Sequence, residues 1–238
     1  MSIALSKQLR EGTKKSHTMA ENTGFVSCFL KGVVDKGTYR NLLVDLYLVY
    51  SAMEDEIKKL SQSGNPVAEA ISYPELNRVE ALQKDLTFFC GANWCDALND
   101  ASPSAKVYAE RIRHVAKNSP ELLIGHHYTR YIGDLSGGQI LKNIAQKAMN
   151  LEDGNGLSFY EFHLIDDEKA FKLKYKDKLN SLHIKQGMVD LIVDEANSAF
   201  KYNMAMFKEL EGNLVAAIGK VLFSFLTRKS RIGSTEND

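Results

Sequence analysis

Apolar residues along this chain recur three or four positions apart, which is the spacing of one face of an α-helix. No comparable stretch alternates between apolar and polar residues with the period of two that a half-buried strand requires. The pattern therefore predicts an all-α protein. The stretches with helical spacing are Tyr39–Leu60, Glu75–Phe89, Ser104–Ala116, Pro120–Met149 and Gln186–Phe225.

Short polar or glycine-bearing breaks at 61–66, 91–102 and 154–156 separate the predicted helices, and each has the length of a loop within one bundle. An all-helical chain of 238 residues can share a single core. We therefore expect one domain over residues 1–226 and a flexible polar tail over residues 227–238.

Four prolines mark expected breaks in the helical pattern. Pro66 and Pro74 are predicted to lie in a loop. Pro103 and Pro120 are predicted to lie near the starts of helices, where the missing backbone N–H costs nothing. Ser119 stands directly before Pro120 and is the predicted N-cap.

The overall composition is that of a globular protein, since 44% of the residues are hydrophobic and 25% are charged. The 30 Lys and Arg residues balance the 30 Asp and Glu residues, so net charge gives no reason to expect a nucleic-acid partner. The most apolar late stretch, 214–226, is interrupted by Lys220 and is shorter than the roughly 20 residues of a membrane helix. We expect no membrane anchor.

Cysteine usage and the N-terminus both favour a cytoplasmic location. Cys28, Cys90 and Cys95 form neither a CxxC pair nor an even set, which is typical of free thiols in a reducing compartment. The N-terminal segment becomes charged too early to hold the apolar core of a signal peptide.

One stripe near the N-terminus carries candidate ligand-binding residues. Arg10, Lys14, His17 and Glu21 are spaced four, three and four apart, so they share one helix face. Neutral imidazole is a common iron ligand, a carboxylate one turn away can orient it, and the cations can meet an anionic group. An ordinary exposed helix face explains the same spacing, so the stripe alone does not decide between the two.

A second unusual segment, Tyr128–Gln139, places three glycines inside an apolar helical pattern. Each glycine costs a helix interior about 1 kcal/mol relative to alanine. Gly133 and Gly137 are four apart and share a face, so the backbone there can approach a flat ligand closely. Gly138 is expected to loosen or kink the helix. Close packing between helices is the alternative explanation.

Two motifs carry a family resemblance. The segment YTRYIGDLSGGQILKNIAQKA at 128–148 resembles the distal-helix signature of the heme oxygenases, and LREGTKKSHTMAEN at 9–22 resembles their proximal helix. EANSAFKYNMAMFKELEG at 195–212 is similar to the long penultimate helix of that family. The resemblance runs from about residue 5 to residue 227. It implies a multi-helix bundle with heme sandwiched between a proximal and a kinked distal helix.

The resemblance also implies roles for residues on both sides of the heme. His17 would ligate the iron, and Glu21 would help to orient its imidazole. Gly133, Gly137 and Gly138 would lie over the opposite heme face and leave room for dioxygen.

A distal hydrogen-bond network is implied as well. Asp134 would hold ordered water beside the iron and supply protons. Its simpler alternative is an i, i+4 salt bridge with Arg130. Tyr50, Arg130 and Asn203 match positions that extend the network, although a lone tyrosine such as Tyr50 is often only a core residue.

The heme propionates need cations, and the matching positions are Arg10, Lys14, Tyr128, Lys172 and Lys176. Lys172 and Lys176 also fit a solvated lysine face that binds nothing. Position 176 is usually arginine in the family, and lysine replaces a planar two-pronged clamp with a point charge. Attack at the α-meso carbon is still expected.

The implied reaction uses heme as both substrate and cofactor, and cleaves it with dioxygen to biliverdin, carbon monoxide and ferrous iron. Electrons must come from outside, because no GxGxxG nucleotide fingerprint is present. The resemblance is closest to the soluble heme oxygenases of photosynthetic microbes. It implies reduced ferredoxin or a similar acidic electron donor, and it allows a bilin reductase of pigment biosynthesis as the next partner.

Three other functions fit parts of the sequence. They are a heme storage or sensing module, a thiamin-degrading enzyme with a cysteine nucleophile on the same architecture, and a purely structural bundle. Gly133, Asp134 and Gly137 argue against simple storage, and His17 argues against the thiamin-degrading enzyme. His127 is not the residue that the family usually carries before the tyrosine, and the sequence assigns it no role.

Overall fold

A computed structural model describes the backbone of residues 4–232 and, apart from Asp153, the side chains of residues 4–211. Every regular element in this described part of the chain is helical, which confirms the all-α prediction. The α-helices are α1 Leu5–Glu21, α2 Gly24–Leu30, α3 Lys36–Gln62, α4 Pro66–Ile71, α5 Val79–Cys90, α6 Pro103–Asn118, α7 Leu123–His127, α8 Gly133–Met149, α9 Glu168–Asn180 and α10 Gln186–Ile232.

Helix α3 lies at the centre of the bundle and packs against α4, α5 and α6. It buries apolar side chains around most of its circumference, including Leu43, Val49 and Met53. A helix that is apolar on several faces belongs inside a core. Helices α1 and α7 both pack against α10, and this arrangement brings the first helix of the chain close to the segment that contains α7.

Side-chain caps explain where several helices begin. Asp35 caps α3 by accepting hydrogen bonds from the backbone N–H groups of Gly37 and Thr38. Asn65, Ser102 and Asp167 cap the first turns of α4, α6 and α9 in the same way. Ser119 stands at the predicted N-cap position before Pro120, but its side chain makes no capping bond there.

The predictions for two prolines and one loop are wrong. Pro66 starts α4 and Pro74 starts the 3-10 helix Pro74–Leu76, because proline suits a first helical turn whatever the length of the helix that follows. The predicted loop at 91–102 contains the 3-10 helix Trp94–Asp100. Short helices of this kind leave too little periodicity to be recognised in the sequence.

The predicted helix Pro120–Met149 is divided into four segments. A 3-10 turn at Pro120–Leu122 leads into α7, a π-helical turn follows at Tyr128–Ile132, and α8 continues from Gly133. Helix α8 runs without interruption through Gly138, and the loosening or kink expected at this residue stays a prediction. The irregular turn lies before the glycines.

The structure describes only the first part of the expected C-terminal tail. Helix α10 continues to Ile232, so the backbone of residues 227–232 of the expected tail is helical, while residues 233–238 lie outside the described part of the chain.

The three cysteines are free thiols, as predicted. Among the described residues, no helix combines the length and apolar character needed to cross a membrane.

Candidate active site

A cavity of about 600 Å³ lies between α1 and the distal segment formed by the π-helical turn and α8. Its volume falls within the range of roughly 300 to 1,000 Å³ that is usual for small-molecule sites. Helix α1 provides one wall, the distal segment provides the other, and α10 contributes Phe200. The lining residues are Arg10, Glu11, Thr13, Lys14, His17, Thr18, Glu21, Tyr128, Thr129, Ile132, Gly133, Ser136, Gly137 and Phe200.

His17 lies on the α1 wall, with 58% of its side chain exposed. Its Nδ1 atom is 3.5 Å from Oε2 of Glu21, one helical turn later. The ring of Phe200 meets the imidazole edge-on at a centroid distance of 5.9 Å. These contacts restrain the imidazole on one side and leave it accessible to a ligand in the cavity.

The opposite wall is bare backbone at two of the three predicted glycines. A Cβ atom added at Gly133 or Gly137 would meet nothing within 4 Å, so both positions open into free space. Gly138 is buried, and a Cβ added there would touch Tyr160 at 3.5 Å. Gly138 therefore does not share the open face of Gly133 and Gly137, because successive residues of an α-helix point about 100° apart. Its expected place over the ligand stays a prediction.

A hydrogen-bond network lies behind this wall and joins three helices and the π-helical turn. The Tyr50 hydroxyl donates to Oδ2 of Asp134, and Nε of Arg130 donates to the same hydroxyl at 3.0 Å. Arg130 also donates to Oδ1 of Asn203 at 2.8 Å. The Arg130 guanidinium is 3.5 Å from Oδ1 of Asp134, so the i, i+4 pair and the network exist together, as the resemblance implied.

Burial sets the electrostatics of this network. It raises the pKa of Asp134 well above the ordinary value for aspartate, because a charged carboxylate is poorly solvated there. It also lowers the pKa of the Arg130 guanidinium. A carboxyl group that keeps its proton more readily than usual, held by a tyrosine and an arginine, is suited to proton transfer.

The expected propionate contacts divide into two groups. Arg10, Lys14 and Tyr128 line the cavity, as expected. Lys172 and Lys176, on α9, are not among the lining residues. Nζ of Lys172 instead pairs with Glu168 at 3.1 Å, and Lys176 is exposed to solvent.

Sequence reasoning missed the cluster that fixes the start of the distal segment. Arg111 donates two hydrogen bonds to the Glu195 carboxylate, at 2.9 and 2.6 Å, and Nε2 of His126 lies 2.9 Å from the same group. Burial alone would raise the pKa of Glu195, but the bonds from Arg111 and His126 outweigh it and lower that pKa to about 2. The three residues are 15 and 69 positions apart along the chain, so local spacing gave no signal.

A fourth glycine was also missed. A Cβ added at Gly125 would come within 2.7 Å of the backbone nitrogen of Ala196 and 2.8 Å of the carbonyl oxygen of Ile192. Backbone atoms cannot give way as a flexible side chain can, so α7 and α10 need glycine here to approach this closely. The signal in the sequence was one more glycine in a helical pattern.

The cavity fits heme. One accessible imidazole faces an open stretch of backbone, two cations and a tyrosine lie on the same cavity, and a polar network stands beside the open wall. Fold and site together define a class of protein, an all-helical binder of a flat anionic ligand whose cavity is lined by an accessible imidazole.

The comparisons with known proteins identify the family. The family model for heme oxygenase matches residues 3–209, so the chain belongs to the heme oxygenase family. It is 57% identical to heme oxygenase 1 of Nostoc sp. over 99% of this chain and 98% of that protein. The family's function is the cleavage of heme to biliverdin, and the chain is an enzyme of this kind, as the sequence predicted.

Solved structures give the same result for the fold. The heme complex of heme oxygenase-1 from Synechocystis sp. matches with a TM-score of 0.89 and 57% identity, over 94% of this chain and all of that one. Heme oxygenase-2 from Synechocystis sp., solved with heme and NO, matches with a TM-score of 0.87 and 45% identity over 99% of this chain and 96% of that one. The prediction of a heme oxygenase-like bundle is confirmed.

Proposed function

We propose that His17 is the axial ligand of the heme iron and that Glu21 orients its imidazole. The observation that carries this proposal is the position of His17 across one cavity from Gly133 and Gly137, the two open backbone positions. Bound heme supplies the iron at which dioxygen is reduced and the carbon that is oxidised. The glycines leave room for dioxygen between the iron and the distal backbone.

Asp134 delivers protons to the distal side through ordered water, and Tyr50, Arg130 and Asn203 position its carboxyl group. Supporting this role, Asp134 accepts a hydrogen bond from Tyr50 and lies beside Arg130, while burial raises its pKa. A carboxyl group in this setting returns to its protonated form readily after each transfer.

The heme propionates lie at the cationic side of the cavity, held by Arg10, Lys14 and Tyr128. Lys172 and Lys176 provide the more distant contacts, and Lys172 must leave Glu168 to do so. These contacts fix the rotation of heme in its plane, and with it the attack at the α-meso carbon to give biliverdin IXα, carbon monoxide and ferrous iron.

The electron donor is reduced ferredoxin or a similarly acidic protein, and the enzyme works in the cytoplasm and passes biliverdin to a bilin reductase. Support for an acidic donor comes from the cations Arg10 and Lys14 at the cavity and the lysines of α9. Opposite charges on two partners accelerate their encounter, and salt weakens this effect. Turnover with ferredoxin should therefore fall as ionic strength rises, while turnover with ascorbate should not.

One spectroscopic experiment tests the proposed chemistry. Purified protein is mixed with hemin, a reductant is added in air, and the absorption spectrum is followed. We expect the Soret band to decay while a bilin band rises, and chromatography of the product to give the IXα isomer. A stable Soret band would indicate heme storage instead of cleavage, and a different isomer would contradict the proposed orientation of heme.

A further inference from the structure

Aromatic rings form a continuous chain that leads away from the distal network. Only the first ring, that of Tyr50, has a proposed role in heme cleavage. The Tyr50 ring meets Tyr131 at a centroid distance of 5.1 Å, and Tyr131 meets His127 at 4.4 Å. His127 stacks on Tyr175 at 5.5 Å with ring planes 13° apart, and Tyr175 meets Tyr73 at 5.6 Å. We call these five residues the aromatic chain.

The aromatic chain begins inside the protein and ends at its surface. Tyr50, Tyr131, His127 and Tyr175 are buried. Tyr73 is partly exposed, and it lines two surface cavities that are separate from the heme cavity. Neighbouring rings at these distances are close enough for an electron to move from each to the next, because electron transfer falls off steeply with separation.

Each buried hydroxyl of the aromatic chain lies within hydrogen-bond distance of an internal group that can act as an acceptor. This matters because a phenol loses its proton when it loses an electron, so a nearby acceptor makes oxidation easier. The donor–acceptor pairs are Tyr50 with Asp134, Tyr131 with Glu54 at 3.2 Å, and Tyr175 with His127 at 2.9 Å.

Nδ1 of His127 lies 2.9 Å from the Tyr175 hydroxyl, and the imidazole tautomer decides which group donates. The hydroxyl donates to Nδ1 in the tautomer that carries its proton on Nε2, and the proton transfer proposed below requires that tautomer. Burial lowers the pKa of His127 to about 3 and raises the pKa of Tyr175 well above its usual value. Both groups are therefore neutral at physiological pH, and the imidazole takes up a proton only from a strong acid, such as a phenol that has lost an electron.

We propose that the aromatic chain carries oxidising equivalents from the heme site to the surface, with His127 as the proton acceptor for Tyr175. The function is protective: it removes the oxidant formed when a hydroperoxide reacts with bound heme and its O–O bond breaks before the ring is attacked. It goes beyond heme cleavage, but it rests on the heme site proposed above.

The electrons and protons balance at each step. Cleavage of the O–O bond of one hydrogen peroxide oxidises the heme site by two electrons, and over the whole cycle the peroxide takes up two protons and becomes two molecules of water. Tyr175 gives up one electron to the heme site through His127, Tyr131 and Tyr50. The phenolic proton of Tyr175 moves to Nδ1 of His127 and returns when Tyr73 donates an electron to the Tyr175 radical and releases its own proton to solvent. A thiol in solution returns an electron and a proton to Tyr73, and two such passages restore the heme site and convert two thiols to one disulfide.

Radical trapping tests the proposal. The hemin-loaded protein is mixed with hydrogen peroxide and a nitrone spin trap, and the trapped residues are located by mass spectrometry. We expect the trap on Tyr73 in the parent protein, and loss of that adduct together with faster bleaching of the Soret band in Tyr175→Phe. His127→Phe, which keeps a ring but removes the nitrogen acceptor, should lose the adduct as well.

Tyr108→Phe is the matched control. Tyr108 is also buried and also lies beside a histidine, His126, but it is not part of the aromatic chain. The adduct on Tyr73 should persist in this variant. An adduct at the parent level in Tyr175→Phe, no adduct in the parent, or an equal loss in Tyr108→Phe would each overturn the proposal. The Soret spectrum before peroxide is added reports heme loading, so a failure of heme binding is recognised separately.

Discussion

The two walls of the heme cavity are built in opposite ways. On the α1 wall, His17 and Glu21 are 58% exposed and contact each other at 3.5 Å. On the distal wall, Asp134 and Arg130 are held by Tyr50 and Asn203 in a network that is mostly buried.

The difference indicates how binding and chemistry are divided. An exposed imidazole on a surface helix remains available when heme enters, and the proposed bond to iron would then hold it in place. A network formed before heme arrives need not reorganise when protons are required. Changes on the α1 wall should therefore affect heme binding first, and changes on the distal wall should affect product formation first.

The largest effect is expected for His17→Ala. Loss of the imidazole removes the proposed bond to iron, so we expect heme affinity to fall by roughly 100-fold, equivalent to about 2.7 kcal/mol, and biliverdin formation to cease. A hemin titration followed at the Soret band measures the first effect. Free imidazole in solution should restore a six-coordinate spectrum. His163→Ala, a change at an exposed histidine, serves as the control; a His17→Ala spectrum identical to the parent would refute the assignment.

Asp134→Ala should show the converse behaviour. The carboxyl group faces the network and is not proposed to bind iron, so heme affinity should change by less than about threefold, equivalent to 0.65 kcal/mol. Biliverdin formation should fall by about 100-fold, the usual scale of a lost general acid. Single-turnover spectra with a chemical reductant measure the rate. If this variant formed biliverdin at the parent rate, Asp134 would not be the proton donor.

Gly137→Ala should separate folding from function. An added Cβ meets no neighbour, so alanine should raise the free energy of unfolding by about 1 kcal/mol through helix propensity alone. The same methyl group enters the space proposed for heme, so heme affinity should fall by about fivefold, or 1 kcal/mol. Urea unfolding and hemin titration measure the two quantities.

Gly138→Ala is the matched control for that experiment. Its added Cβ would make an ordinary contact with Tyr160, so this variant should also be more stable, but it should bind heme like the parent. Equal losses of heme affinity in both variants would show that the glycines act through the helix and not through their shared face with the cavity.

The comparison also shows what the sequence could reveal. Helical spacing located most of the bundle, and the family resemblance placed His17, Gly133 and Gly137 on the same cavity. The spacing also separates Gly138 from this face, since a residue next to Gly137 points about 100° away. The sequence gives no comparable signal for the π-helical turn at 128–132, because the packing of this segment against other helices decides whether the turn is α-helical or π-helical.

Contacts between distant parts of the chain were the least predictable. Glu195 meets Arg111 and His126 only because α10 returns past α6 and α7, and no local pattern records that return. His127 was recognised as unusual, but its role in the aromatic chain depends on Tyr175 in α9. Tertiary packing, which joins residues far apart in the sequence, decides these partners.

The smallest effect is expected for Lys176→Ala, on α9 beside the α1 wall. The Lys176 side chain is exposed and does not line the cavity, so its removal should weaken heme binding by about twofold, within the 0.2 to 1 kcal/mol of a surface charge contact. Arg10→Ala provides the comparison, because Arg10 lines the cavity and should cost about fivefold, or 1 kcal/mol. Both losses should shrink in high salt, since screening weakens exposed charge contacts. If Lys176→Ala instead weakened binding more than Arg10→Ala, α9 would have to move towards the propionates when heme binds. Heme would then reposition α9 as well as bind His17 on the α1 wall.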